Sequence, residues 1–191
     1  FTLTDYFRST VLQRSNEQKK GALVDDLISA REAGGPMSEE ELVASCILIL
    51  FAGHETTMNL IGNATLLLLK HRNQLALLRD DPNLISSMVE EVLRYECAAF
   101  VIVRVANEDI EIGGKTIAKG DRVFLMLGAA NRDPMHFDNP ESFDIRRNPN
   151  RHLSFGYGIH FCIGAQLARV EAEVAFKHLL PLIGDIEPVS E

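Results

Sequence analysis

The sequence predicts a mainly α-helical domain with a small β region, and three observations carry that expectation. Ser38 and Glu41 stand three apart at the head of a long apolar stretch, the pattern of a capping box that opens a helix. Between Val101 and Leu127 lie short runs rich in β-branched and aromatic residues, separated by glycine-containing turns. Helical spacing of apolar residues then returns from Ala165 to Leu182.

At the start of the chain, Thr4 to Ala30 carries apolar side chains at helical spacing (Tyr6, Val11, Leu12, then Leu23 and Leu27), and Gly34-Gly35-Pro36 ends the segment in a turn. From the capping box onward no proline occurs until Pro82, and apolar residues lie on nearly every side up to Leu69. One helix of about 30 residues, roughly 45 Å long, is therefore expected to run buried through the core, covered all round. It is not read as a membrane segment. The charge-free run Leu42 to Gly53 is shorter than the ~20 residues a bilayer requires, and Gly53-His54-Glu55-Thr56-Thr57, Asn59 and Asn63 interrupt the apolar stretch beyond it. Asp81-Pro82 caps a further helix to about Tyr95, with proline at the first helical position. Val101–Val105, Asp109–Ile112 and Arg122–Leu127 should form a small antiparallel sheet, turning at Gly113-Gly114 and Lys119-Gly120-Asp121. Asn131 to Asn150 is rich in Asp, Asn, Pro and Arg without periodicity, a long irregular segment of the kind compact domains keep for function. Gly156, Gly158 and Gly164 then surround Cys162 just before the last helix.

Composition narrows the function classes. With 191 residues, 46% apolar side chains and a net charge of −8, the chain reads as an ordinary globular domain, large enough to bury roughly 70% of its unfolded surface without disulfides. Three widely spaced cysteines read as reduced, intracellular thiols. The acidic balance, with no basic run longer than Lys19-Lys20 or Arg146-Arg147, argues against nucleic acid as a partner. The start at Phe1, without methionine, basic leader or apolar signal core, leads us to expect a single domain over 1–191 that is truncated at its N-terminus.

Three constellations carry chemistry. Cys162 sits in a glycine-rich loop directly before a helix, where unpaired backbone N–H groups and the helix dipole stabilise a thiolate. The glycines let the backbone approach a flat object closely. A buried structural cysteine beside a turn, or a nucleophile assisted by His160, are the other readings of these residues. Inside the long helix, Ala52-Gly53-His54-Glu55-Thr56-Thr57 places polar groups where they are costly. His54-Glu55 begins the zinc pattern His-Glu-x-x-His, but Met58 stands in the fifth position and excludes it. Hydroxyls bonding back to carbonyls one turn earlier would satisfy the segment structurally; a local widening of the helix at Gly53 would make a pocket. Glu91 and Arg94 share one face of a helix, commonly a solvated ion pair, although Val89, Val92 and Leu93 imply partial burial here.

The decapeptide Phe155 to Gly164, in the pattern Phe-Gly-x-Gly-x-His-x-Cys-x-Gly, resembles the haem-binding loop of the haem-thiolate monooxygenases, the cytochrome P450 family. Ala52–Thr57 is similar to that family's oxygen-activating signature, and Glu91-x-x-Arg94 to its third signature. The resemblance implies the C-terminal part of that fold: long central helix, Glu-x-x-Arg helix, small antiparallel sheet, cysteine loop and following helix. It implies haem b (iron protoporphyrin IX) as cofactor, with Cys162 as iron ligand, Phe155 beside the thiolate, and Gly156 and Gly164 bracketing the loop. Arg104 and His160 would hold propionates, with His152 as a second contact. Glu55 and Thr56 would relay protons; Glu91, Arg94 and Arg147 would brace the fold; Ala52, Ala99, Phe100 and Val101 would face the substrate. The reaction implied is monooxygenation, an oxidoreductase acting on paired donors. One atom of dioxygen enters a small apolar organic substrate, and a ferredoxin or flavodoxin-type partner delivers electrons. A peroxide-using relative would normally lack the acid-alcohol pair Glu55-Thr56, and a partial chain unable to retain haem is the other alternative. The bacterial style of Gly164 to Arg169 implies a soluble cytoplasmic enzyme, although Ala98 departs from the proline common in bacterial relatives and the family's long N-terminal portion is not matched.

Overall fold

The computed structural model describes residues 2–15, 21–183 and 186, which form two compact units, one up to Glu55 and one from Thr56 onward. The first unit contains α1 (Leu3–Ser15), α2 (Leu23–Glu32) and the start of α3 (Glu39–Lys70). Residues 16–20, within the expected helical stretch 4–30, lie outside the described residues. Phe7, Val11, Ile28, Leu42, Val43 and Cys46 bury their side chains together. Buried Asp25 accepts hydrogen bonds from Arg14 at 3.0 Å and from the Ala22 N–H at 3.1 Å, so its charge is compensated.

The capping box forms as expected: the Ser38 N–H donates to Glu41 at 2.7 Å, and the Glu41 N–H donates to the Ser38 hydroxyl at 3.2 Å. These bonds hold the Glu41 carboxyl below its ordinary range. The α3 helix behind it spans 32 residues, about 48 Å. Two expectations need correction here. The helix is not covered all round: Leu48, Ile49, Leu50, Phe51 and Met58 are exposed, Leu48 by 67%. Burial is confined to its ends, at Leu42, Val43 and Cys46 and again at Leu60, Ala64, Leu67, Leu68 and Leu69, because the cores of the two units each reach only one end of the helix. Nor does the helix widen at Gly53, which stays regular α-helix with open space around it. Length and composition alone would let α3 cross a membrane, but His54 and Glu55 stand at its midpoint, where a charge costs roughly 2.5–3.5 kcal/mol in lipid.

In the second unit, α4 (Arg72–Asp80) follows α3 after a single non-helical residue, His71. The cap at Asp81 accepts from the Asn83 N–H at 3.1 Å and opens a 3-10 turn, Pro82–Leu84, that runs into α5 (Ile85–Tyr95). The strands β1 (Val101–Val105), β2 (Ile110–Ile112), β3 (Lys115–Ile117) and β4 (Arg122–Met126) make two separate antiparallel pairs rather than one sheet. β1 pairs with β4, with Val103 opposite Phe124, and β2 pairs with β3. The β2–β3 turn needs positive φ at both Gly113 (59°) and Gly114 (74°), which glycine supplies without strain. Leu127 begins a short helix, α6 (Leu127–Ala130), instead of ending β4. After the irregular segment and the cysteine loop comes α7 (Ala165–Ile183), which packs on α5 around Met88, Val92, Ala172 and Phe176. A Ser86–Glu173 hydrogen bond of 2.8 Å links the two helices at their surface.

Candidate active site

The loop around Cys162 is built by backbone bonds that its glycines permit. Gly156 (φ 74°) and Gly158 (φ 67°) occupy the left-handed region, where a side chain would be strained. The Gly156 N–H donates to the Leu153 carbonyl at 2.8 Å, and the Cys162 N–H donates back to the Phe155 carbonyl at 2.8 Å, closing the loop. The Cys162 carbonyl then accepts from the Ala165 N–H at 3.2 Å, which joins the loop to the first turn of α7. Cys162 is exposed, while the other two cysteines are buried and their thiols are pushed up by that burial. Around it, Ile159 and Ile163 are wholly exposed and Phe161 is half exposed. A bare thiol thus stands among bare apolar side chains. No cluster of three or more His, Cys, Asp or Glu among the described residues could hold a metal ion. That donor set fits a flat apolar prosthetic group with one sulfur ligand from the protein, and it does not fit a multidentate metal site.

Behind the loop, polar groups fix its support. The Leu153 N–H donates to Asn131 at 2.7 Å, Asn131 donates to the Ser154 hydroxyl at 2.8 Å, and that hydroxyl donates to the Leu93 carbonyl on α5 at 2.6 Å. Phe155 packs on the core with its ring centroid 6.4 Å from that of Phe161. The Arg169 guanidinium lies over the Phe155 ring at 4.5 Å and forks onto Glu90 at 2.7 and 3.0 Å. Burial would raise the Glu90 carboxyl, but hydrogen bonds from His152 and Arg169 and the Arg169 charge bring it down to about 2.

His152 packs behind the loop: its Nδ1 accepts from the Ser154 N–H at 3.2 Å and its Nε2 lies 3.1 Å from Glu90, so both ring nitrogens are engaged inside the protein.

Glu91, Arg94 and Arg147 come together as a buried ion triad. Arg94 forks onto Glu91 with two bonds of 2.8 Å, and Arg147 Nε reaches the same carboxylate at 3.1 Å. The remaining Arg94 N–H groups donate to the carbonyls of Asn131, Pro140 and Ser142, and those of Arg147 to Asp138, Asn139 and Ser142. The irregular segment is therefore wrapped around two guanidiniums.

The remaining candidate residues lie outside this support. Arg104 is on β1, partly exposed, and donates to the Val103 carbonyl at 3.0 Å. His160 is exposed in the 3-10 turn Gly158–His160. Ala99, Phe100 and Val101 lead into β1, with Phe100 and Val101 exposed. The Phe100 ring lies over Gly128, where an added Cβ would meet it at 2.5 Å. Ala52 and Glu55 are exposed at the end of the first unit, and Thr56 is exposed at the start of the second.

Comparison with known proteins decides what this architecture belongs to. The family described as Cytochrome P450 matches residues 3–181. The chain belongs to the cytochrome P450 family. It is 50% identical over 175 residues to the biotin biosynthesis cytochrome P450 of Bacillus subtilis, covering 92% of this chain and 44% of that protein. It is 46% identical over 175 residues to the vitamin D(3) 25-hydroxylase of Pseudonocardia autotrophica, covering 91% and 43%. Among solved structures, P450BioI in complex with hexadec-9Z-enoic acid ligated acyl carrier protein aligns with a TM-score of 0.88 at 48% identity, over 94% of this chain and 46% of that one. The cytochrome P450 CREJ aligns with a TM-score of 0.93 at 37% identity, over 99% and 48%. The chain spans about half the length of the curated relatives it matches. The P450 fold expected from the motifs is thus the one found. Reading the sequence missed Glu90, Arg169, Asn131 and Ser154, which support the cysteine loop across separations of 22 to 79 residues that leave no local pattern.

Proposed function

We propose that Cys162 is the thiolate ligand of haem b and that this chain provides the cysteine-bearing half of a P450 monooxygenase. The observation that carries the reading is the exposed Cys162 thiol in a loop turned by Gly156 and Gly158 and rimmed by exposed Ile159 and Ile163. When bound there, haem supplies the activation of dioxygen, with thiolate donation favouring O–O cleavage. The protein's own work is distributed around it. Gly156 and Gly164 keep side chains away from the loop, Phe155 excludes water beside the sulfur, and Arg104 and His160 are cations or donors suited to carboxylates. Glu55 and Thr56, adjacent on α3, form an acid-alcohol pair able to hold and pass protons from solvent. Ala52, Ala99, Phe100 and Val101 offer apolar surface to the substrate.

The substrate is read as an apolar organic molecule, free or carried on an acyl carrier protein. The solved relative with a hexadecenoyl carrier complex and the vitamin D(3) hydroxylase support that class. Electrons would come from a ferredoxin or flavodoxin-type protein. Reduced, buried Cys46 and Cys97 support a cytoplasmic location, and we read 1–191 as part of a single haem domain.

The test is the ferrous carbon monoxide spectrum of the haem-loaded, full-length protein. Cys162→Ser should abolish the thiolate-type band, while Cys46→Ser and Cys97→Ala should keep it. A thiolate-type band surviving in Cys162→Ser would overturn the assignment.

A further inference from the structure

The groups packed against the cysteine loop from behind include one charge cluster whose part so far has been mechanical support alone. Arg169 projects from the second turn of α7, and three contacts hold it: the fork onto Glu90 at 2.7 and 3.0 Å, the Phe155 ring at 4.5 Å, and the Ala165 carbonyl at 3.3 Å. Glu90 is in turn held by His152, whose other nitrogen caps the Ser154 N–H one residue before Phe155. Phe155 gives its carbonyl to the Cys162 N–H at 2.8 Å. A planar cation is therefore pinned one ring away from the residue whose backbone closes on the sulfur-bearing residue.

We infer that Arg169 is a positioning residue that sets the electron-donating strength of the Cys162 thiolate, with Glu90 as its counter-charge. A fixed positive charge close to a thiolate stabilises the anion and weakens its donation to iron, which favours the reduced metal; a fixed negative charge does the opposite. Ala165 bridges the two residues, its N–H donating to the Cys162 carbonyl at 3.2 Å and its carbonyl accepting from Arg169 at 3.3 Å. The cluster is partly buried, Arg169 by about three quarters, so salt screens it only in part. The inference rests on the reading of Cys162 as the iron ligand.

Opposite charge changes separate an electrostatic role from a merely structural one. In the haem-loaded, full-length protein, Arg169→Met should lower the iron reduction potential, Glu90→Gln should raise it, and Arg169→Lys should stay near wild type. Loosening of the loop alone would move Arg169→Met and Glu90→Gln in the same direction. Shifts of one sign in both, or no shift in either, would overturn the inference. Should Arg169→Met fail to fold, Glu90→Gln decides: a raised potential supports the role, and an unchanged or lowered one refutes it. Wild-type protein without a thiolate-type carbon monoxide band would overturn the ligand reading and this inference with it. A wild-type band combined with same-sign shifts overturns only the role of Arg169.

Discussion

Removing Arg94 should unfold the cysteine-bearing unit more severely than removing Glu91, although the two form one ion pair. The reason lies in what each side chain holds. Glu91 is fully buried and accepts from Arg94, from Arg147, from the Asp144 N–H at 2.9 Å and from Asn150 at 3.1 Å. Replacing it by glutamine keeps the shape but leaves Arg94 as a buried, uncompensated cation, a change worth about 3–5 kcal/mol. Arg94 is also fully buried, and besides Glu91 it satisfies the carbonyls of Asn131, Pro140 and Ser142. Arg94→Leu strands the Asn131 and Pro140 carbonyls at about 1–3 kcal/mol each, while Ser142 keeps Arg147, and it leaves Arg147 as the one cation on the Glu91 carboxylate. With the broken buried pair, worth about 3–5 kcal/mol, the total of about 5–11 kcal/mol is comparable to the whole stability of a typical domain, about 5–15 kcal/mol.

The double variant Glu91→Leu with Arg94→Leu is the sharper test. Where a buried ion pair stands by itself, replacing both partners with apolar groups is often neutral. Here the Asn131 and Pro140 carbonyls remain stranded, so the double variant should still lose at least about 2 kcal/mol. Arg147→Leu, whose side chain keeps some solvent contact, should cost least. Denaturant unfolding of the full-length protein, followed by far-ultraviolet circular dichroism, measures all four. A double variant within about 1 kcal/mol of wild type would show that residues 131–144 do not depend on Arg94, and the reasoning would fail.

Two more outcomes are expected from the same geometry. Glu90 titrates at about 2 when folded against an ordinary 4.5, so it stabilises the folded state fully above pH 4.5 and loses that contribution as pH falls toward 2. The shift corresponds to about 3 kcal/mol, reduced to about 1–2 by partial solvent exposure; Glu90→Gln should flatten the acid limb of the stability curve, and an unchanged limb would refute the assignment. Gly128→Ala places a methyl 2.5 Å from the Phe100 ring, so the ring must turn; a cost of about 1–3 kcal/mol is expected by thermal unfolding, and a wild-type melting curve would show that the ring is free to yield.

The features legible in the sequence are those whose cause is local. The capping box of Ser38 and Glu41 acts over three residues and forms as expected. The glycines at 156 and 158 mark positions of positive φ by residue type alone, since few other side chains tolerate it. Glu91 and Arg94 are neighbours on one helix face, so their pairing is visible, while its full burial depends on the wrapping of residues 131–147 around them. The features that escaped sequence reasoning have distant causes or patterns too short to see. The α4 helix has its buried face at Gln74, Leu75 and Leu78, too brief a pattern to separate from the end of α3. The β3 strand is three residues, Lys-Thr-Ile, and owes its existence to the Gly113-Gly114 turn that folds it back on β2. Arg169 reaches Glu90 across 79 positions of sequence.

The exposed middle of α3 marks the limit of a different kind of inference. A run of apolar residues on every side states that each face gains from being covered, at about 25 cal/mol per Å² removed from water. It does not state which chain supplies the cover. Within the described residues, Leu42, Val43 and Cys46 are covered by α1 and α2, and Leu60 to Leu69 by the core shared with α5 and α7, while Leu48 to Phe51 and Met58 stay open. Those open residues flank Gly53 to Thr57, the segment that carries the acid-alcohol pair. The proton relay proposed for Glu55 and Thr56 would gain force only with the surrounding apolar surface closed off from water, since a side chain passes protons selectively where bulk solvent cannot compete. The same residues that make the helix look like core are thus the ones that would have to be covered for the proposed relay to act.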